Sequence, residues 1–240
     1  MSHNQLIIKE GAFIVSDAHF SSLRPELLTF FEDIYSKKLR PTQLILMGDI
    51  FDARFGGVKY THELNAKIIK VLNAIELEVI YLEGNHDFNL KKIFPNFKVF
   101  SLSTQPVECL YETKKIYLAH GDFDGGFSYL LYSSIIRNPF TLFVLKTVDS
   151  FTSHAILKKL DKYLSKKDDC KDLKTFKEYI RERLKSRYKC DYFIEGHFHQ
   201  NKQFKVGDVN YINLAAFACN QRYFIVKSSK DKELLEEKTF

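Results

Sequence analysis

Val79-Ile80-Tyr81-Leu82-Glu83-Gly84-Asn85-His86-Asp87 is the stretch on which the fold turns. Four apolar residues make a short buried strand, and a glycine then turns the backbone into an amide, an imidazole and a carboxylate in succession. Three chemically active side chains in a row make little sense as a simple turn. The same grammar recurs four times. Apolar runs at 12–15, 44–47, 116–119 and 192–194 lead into Asp17-Ala18-His19, Gly48-Asp49-Ile50-Phe51-Asp52, His120-Gly121-Asp122 and Gly196-His197-Phe198-His199. In an open α/β sheet the carboxyl ends of the strands line one crevice, where ligands bind. Five such ends bring Asp, Asn and His together, and that set of hard oxygen and imidazole donors suits divalent transition metals. The pattern reads as a two-metal hydrolytic centre.

Between the clusters, strand and helix alternate. Pro25 opens an amphipathic helix expected to run to about residue 38, with Leu27, Leu28, Phe31, Ile34 and Tyr35 on one side. A second helix is expected over 61–75, carrying Leu64, Ile68, Val71, Leu72 and Ile75. The βαβαβ order predicts a buried parallel sheet with helices packed on it. Shorter strand-like pieces follow at 99–100, 106–110, 115–119, 203–206, 210–214 and 223–226, too many for one short sheet. The predicted fold class is therefore α/β with two facing sheets flanked by helices. The tail from Lys227 to Phe240 alternates charge and is expected to be a surface strand end or a frayed segment.

The successive intervals Asp17 to Asp49, Asp49 to Asn85 and Asn85 to His120 are 32, 36 and 35 residues, but His120 to His197 is 77. The extra chain is an apolar, aromatic stretch over 127–157, broken at Pro139, followed by basic helical sequence over 158–189. It predicts a single domain over 1–240 in which 123–190 is a helical insertion or lid near the site. Net charge is +6, and residues 137–190 carry 15 Lys plus Arg against 7 Asp plus Glu. Positive charge is thus local, which favours an anionic substrate or surface meeting that segment. The plainer alternative is that the apolar residues dock the insertion onto the core and the lysines form a solvated face.

Cys109, Cys170, Cys190 and Cys219 are far apart with no CxxC pair, which points to reduced thiols in the cytosol and away from a disulfide framework. There is no basic start followed by an apolar run at the N-terminus, and no apolar stretch long enough for a membrane span, so a soluble cytoplasmic protein is expected. His3, His62 and His154 lie in the tail or on predicted helices without ligating neighbours and receive no site role. Each cluster alone has a bland reading as a turn plus helix cap; their joint occurrence at strand ends does not.

The clusters resemble, over the whole chain except 123–190, the DxH, GDxxD, GNH(D/E), His and GHxH pattern of the calcineurin-like metallophosphoesterases. The resemblance implies a four-layer αββα double β-sandwich. It also implies a first metal on Asp17, His19, Asp49 and His199. A second would sit on Asn85, His120, His197 and the shared Asp49. His86 matches the family's catalytic histidine, positioned with Asn85 to contact substrate and to protonate a leaving group. Asp52 or Asp122 would orient a neighbouring histidine. Two divalent ions, Mn2+ as first choice, would supply a metal-bridging hydroxide and neutralise phosphoryl charge.

A narrower resemblance, in chain length and in the helical insertion between the HGD and GHxH clusters, is to the UDP-2,3-diacylglucosamine hydrolases of lipid A biosynthesis. It implies a lipid-linked nucleotide as substrate, cleavage to UMP and 2,3-diacylglucosamine 1-phosphate, and peripheral contact with the inner face of the cell membrane. Arg137 then becomes a phosphate or uridine contact. Two departures stand. The best-known members carry GNRD where this chain has Gly84-Asn85-His86-Asp87, and GHTHRP where it has Gly196-His197-Phe198-His199-Gln200-Asn201. The alternatives are a phosphoesterase for a soluble nucleotide or other ester, then a nuclease, although no aromatic stacking pattern accompanies the basic segment and no nucleic acid is expected. A non-catalytic scaffold would be expected to have lost ligands, and all seven metal positions are filled.

Overall fold

The computed structural model describes residues 5–21, 24–56, 58–164, 170–185, 187–228, 230–231 and 233–240. In chain order the elements are β1 (Leu6–Ile7), β2 (Phe13–Val15), α1 (Glu26–Tyr35), β3 (Leu44–Leu46), β4 (Arg54–Phe55), α2 (Lys59–Leu64), α3 (Ala66–Ala74), β5 (Val79–Leu82), β6 (Asp87–Phe88) and β7 (Lys98–Phe100). They continue with β8 (Val107–Tyr111), β9 (Lys114–Ala119), α4 (Phe127–Arg137), α5 (Pro139–Phe151), α6 (Ala155–Leu164), α7 (Phe176–Leu184), β10 (Tyr192–Glu195), β11 (Lys202–Val206), β12 (Val209–Asn213), α8 (Phe217–Asn220), β13 (Arg222–Val226) and β14 (Leu235–Thr239).

Two six-stranded sheets form, in the orders β14-β13-β2-β3-β5-β7 and β1-β8-β9-β10-β12-β11. Strands β2, β3, β5 and β7 run parallel, as do β9, β10 and β12. Uninterrupted apolar runs suit such strands because both faces are covered. Ile14, Ile45 and Ile80 point from the first sheet into the same core as Leu118, Ile194 and Ile212 of the second. The alternate residues Val15, Leu46 and Tyr81 pack on the other face against Leu27, Phe30 and Phe31 of α1 and Ile68 and Leu72 of α3. On the outer face of the second sheet, Phe176, Ile180 and Leu184 of α7 pack against Phe193 and Tyr211. Helix, sheet, sheet and helix therefore stack in four layers, as the α/β expectation requires. Each such buried Phe, Leu or Ile is worth about 1.5–3 kcal/mol of transfer free energy.

The structure departs from expectation in several places. The second predicted helix is two, parted at Asn65, whose side-chain amide donates to the carbonyls of Thr61 (2.7 Å) and Ala53 (3.2 Å). Such a side chain competes with the helical backbone ladder. Of the two expectations for the tail the strand end holds: β14 pairs antiparallel with β13 as the edge of its sheet. The expectation that the cysteines are all reduced is overturned, because Cys170 and Cys219 form a disulfide, while Cys109 and Cys190 are free. They stand 49 residues apart and meet only because α8 and the chain preceding α7 pass the same corner of the fold, which spacing in sequence does not report.

The apolar residues of 127–157 dock onto the rest of the fold only in part. Phe127 (82%), Phe140 (74%), Phe143 (65%) and Phe151 (87%) are exposed, with Leu131, Tyr132 and Ile135 beside them. A smaller set, Leu142 with Ile136 and Leu157, closes on Val58 and Phe88. No helix among the described residues is long and apolar enough to cross a membrane.

Candidate metal centre

β2, β3 and β5 end side by side, since Val15 pairs with Leu46 and Leu46 with Tyr81. In the second sheet Ala119 lies opposite Glu195, so β9 and β10 also end together. The five turns that follow converge. Three groups of side chains place ligand atoms within 4.8 Å of one another: Asp17, His19 and His199; His19, Asp49 and His86; and Asp49, His120 and His197. Asn85 joins them, its Oδ1 3.3 Å from His120 Nε2. All seven residues expected as ligands, and His86, are thus brought to one place.

The backbone is bent hard to achieve this. Asp17, His19, Asp49, His197 and His199 all have positive φ (50°, 44°, 49°, 62° and 56°), a left-handed conformation that costs a non-glycine residue about 1–2 kcal/mol. Such outliers persist where surrounding contacts over-determine them, and they gather at functional sites. The contacts here are named. The Asp17 carboxylate accepts from the His197 amide (3.0 Å to each oxygen) and from the Ser16 hydroxyl. The His19 amide donates to the Asp49 carbonyl (2.9 Å), and Asp49 Oδ1 accepts from the His86 amide (2.8 Å). Asp87, fully buried, accepts from the amides of Asp49 (3.1 Å), Ile50 (2.7 Å), Phe51 (3.3 Å) and Gly84 (3.0 Å) and from the Tyr81 hydroxyl (2.6 Å). One carboxylate therefore shapes two of the five turns. Gly48 is required because its φ is +89° and a Cβ there would lie 2.4 Å from His120 Nδ1.

Histidine tautomers follow from their acceptors. His120 Nδ1 is 2.9 Å from the Met47 carbonyl, which can only accept, so Nδ1 carries the proton and Nε2 faces Asp49 Oδ2 (3.4 Å) and Asn85. His86 Nδ1 likewise donates to the Asp52 carbonyl (2.8 Å). His199 Nε2 lies 3.1 Å from Asp17 Oδ1. Burial pushes the Asp17 carboxyl up, but the adjacent His199 outweighs it and holds it at about 2. Burial opposes charge on His120 too, yet the Asp49 carboxylate wins and raises it. Burial, reinforced by His120, pushes His197 down to about 4, leaving it neutral near pH 7, the state a metal ligand requires.

His19 shows that a cation fits. It is buried, and neither ring nitrogen makes a hydrogen bond; Asp52 Oδ1 stands 3.3 Å from Nδ1 without bonding geometry, and Asp52 Oδ2 is orphaned as well. Unpartnered polar atoms this deep are costly unless something of opposite character sits among them. A cation beside His19, Asp17, Asp49 and His199 satisfies that need.

Other residues lie around these groups. Of the two acids expected beside a histidine, Asp52 lies against His19 (3.3 Å) and His86 (3.8 Å), while the Asp122 Oδ2 accepts from Tyr129 (2.6 Å) and lies 3.7 Å from Arg137. Arg137 points inward and donates to the Gly84 carbonyl (2.9 Å) and Ser133 Oγ (2.9 Å), with Glu83 3.7 Å away and the Phe88 ring beneath it. It thereby ties α4 to the turn that carries Asn85. His62 and His154 stay outside all three groups but do have neighbours. His62 Nδ1 meets Arg54 (3.0 Å), while His154 Nδ1 meets Asp149 (2.8 Å) and its ring stacks on Tyr60. His3 lies outside the described residues. Gln105 accepts from the His120 amide (2.6 Å) and donates to the Glu83 carbonyl (2.8 Å), and a glutamine before a proline carries no signal of such a role.

Residues 13–201 match the family described as calcineurin-like phosphoesterase. The chain is 27% identical over 152 residues to a UDP-2,3-diacylglucosamine hydrolase of Pseudomonas fluorescens strain Pf0-1, covering 61% of each chain. The enzyme of that name from strain SBW25 is 28% identical over 154 residues, again 61% of each. That of Pseudomonas aeruginosa PAO1 is 26% identical over 157 residues, covering 63% of this chain and 65% of the relative. The chain thus spans about three fifths of the length of these relatives. Among solved structures, an archaeal phosphodiesterase aligns with a TM-score of 0.48 at 14% identity, covering 95% of this chain and 99% of its own. The family match runs from the strand before Asp17 to just past His199 and so takes in all five clusters: the chain belongs to the calcineurin-like phosphoesterases.

Proposed function

We propose that this chain is a metal-dependent phosphoester hydrolase that uses two divalent ions, Mn2+ as first choice. Asp17, His19, Asp49 and His199 would hold one, and Asn85, His120, His197 and the shared Asp49 the other. The observation that carries this is the convergence of three ligand groups, two of them joined through Asp49, around an imidazole with both nitrogens unpartnered. When bound, such a pair of cations lowers the pKa of water and neutralises phosphoryl charge. His86 would face the substrate beside Asn85. With Nδ1 committed to the Asp52 carbonyl, its Nε2 is the nitrogen left to exchange a proton with a leaving oxygen. Arg137 adds positive charge just behind the Gly84 turn.

The substrate we propose is UDP-2,3-diacylglucosamine, cleaved to UMP and 2,3-diacylglucosamine 1-phosphate at the cytoplasmic face of the membrane. The curated relatives carry that substrate in their names. The exposed phenyl rings of α4 and α5 supply apolar surface for acyl chains and a lipid surface. An apolar cavity of about 110 Å³ lies beneath, lined by Phe55, Val58, Ile136, Leu142, Ile156 and Leu160. In this reading 1–240 is one domain and 123–190 its lid. The imidazole of His86 favours a second reading, since GNHD is the general family form: hydrolysis of a soluble phosphoester. Incubation with Mn2+ and UDP-2,3-diacylglucosamine in mild detergent, followed for UMP, separates the two. Rapid UMP release, lost in Asp49→Ala, supports the lipid substrate. An intact lipid substrate with cleavage of an aryl phosphodiester leaves only the chemistry standing.

A further inference from the structure

Arg183 comes from the basic stretch 158–189, yet its side chain is only 7% exposed. Its guanidinium donates in a fork to both oxygens of Glu195 (2.7 Å each), through Nε to Asp124 Oδ1 (2.8 Å), and at longer range to the Gly121 carbonyl (3.4 Å). The rings of Phe123 and Phe198 lie 5.3 and 5.4 Å from its central carbon. Glu195 is itself fully buried and also accepts from the Tyr211 hydroxyl (2.6 Å).

The location of these partners is the point. Glu195 ends β10, two residues before His197, and Gly121 follows His120 directly. β9 and β10 are adjacent parallel strands, so their two turns emerge a strand spacing apart, and the His120 and His197 rings sit 5.0 Å apart at 70°. The ladder register ends at Ala119 and Glu195, one last main-chain bond runs from the Gly196 amide to the His120 carbonyl (2.9 Å), and beyond it His197 holds a φ of +62°. Past that single main-chain bond, Arg183 adds a side-chain bridge between the two turns, and a planar fork fixes orientation as well as charge.

We propose that Arg183 is a positioning residue that acts through Glu195 and Gly121 to hold His120 and His197 at ligand spacing. The ion they share with Asp49 and Asn85 then depends on Arg183 more than the ion at Asp17 and His19 does. The inference rests on the two-ion reading above. Its mechanism is that of groups behind metal ligands elsewhere, whose loss weakens metal affinity roughly 10- to 100-fold.

The test is calorimetric titration of metal-stripped protein with Mn2+, with circular dichroism to verify folding. Wild type takes up two ions. Arg183→Lys keeps the charge but not the fork, and Arg183→Met with Glu195→Gln leaves no unpaired buried charge, so it separates positioning from simple destabilisation. Both are expected to bind one ion within about threefold of wild type and the other about tenfold or more weakly. Arg187→Met, which touches Asp124 but not Glu195, is expected to change neither. Folded variants that bind both ions with wild-type affinity overturn the role of Arg183. A wild-type protein that takes up fewer than two ions overturns the two-ion reading, and this inference with it.

Discussion

Replacing Gly84 by alanine tests the centre at its tightest point. A Cβ built on Gly84 lies 2.1 Å from Asp49 Oδ1 and 2.6 Å from the Asp49 amide nitrogen, whereas ordinary contact begins at 3.4 Å. The carboxylate must therefore retreat by about 1.3 Å and the Asp49 backbone by about 0.8 Å, the shortfalls from that contact distance. Neither can move alone, because the Asp49 amide is held by Asp87 and its Oδ1 by the His86 amide. Strain of this kind costs typically 1–3 kcal/mol of stability. A displacement near 1 Å in a reacting constellation costs on the order of a hundredfold in rate. Gly84→Ala is expected to lose about that much hydrolytic activity at saturating Mn2+ and to lower Tm by several degrees. Gly126→Ala, where a Cβ meets nothing within 4 Å, should do neither. Rates of aryl phosphodiester hydrolysis, Mn2+ titration and thermal unfolding read the three proteins. A folded Gly84→Ala protein with activity within threefold of wild type would falsify the claim that Asp49 is pinned between these turns.

Metal uptake should strengthen with pH. Without an ion, Asp49 overcomes burial and raises His120, so a proton competes for its Nε2 at low pH and is lost as pH rises. Mn2+ affinity measured from about pH 6 to about pH 8 should increase, with proton release on binding, and a flat profile would refute this. In Tyr81→Phe, Asp87 loses the 2.6 Å hydroxyl bond but keeps four amides, so a loss of about 1–3 kcal/mol is expected in denaturant titrations and no collapse of the fold. Phe151→Asp removes an 87% exposed ring from the apolar face, and it should reduce co-sedimentation with anionic vesicles while sparing hydrolysis of a soluble ester. Unchanged vesicle binding would argue that this face serves some other purpose.

The local features of the chain determined a good deal. Apolar runs such as 79–82 and 116–119 are strands because both faces of a covered parallel sheet are dry, and polar clusters at their ends announce the crevice. The order of elements gave the layers, and the residue types gave the chemistry. Tertiary structure decided what depends on two distant segments meeting. Only the packed sheets put Glu195 beside Gly121, turn Arg137 inward to Gly84, and close Cys170 on Cys219. The same is true of Asp87, the last residue of its cluster, which becomes the acceptor for four amides once β3 and β5 lie side by side. It is true in reverse of the aromatic stretch 127–151, whose phenylalanines would suit a core but stay exposed while only Leu142 and Ile136 join one. Periodicity reports how a segment prefers to fold and which face is apolar; what that face meets is a property of the whole chain's packing.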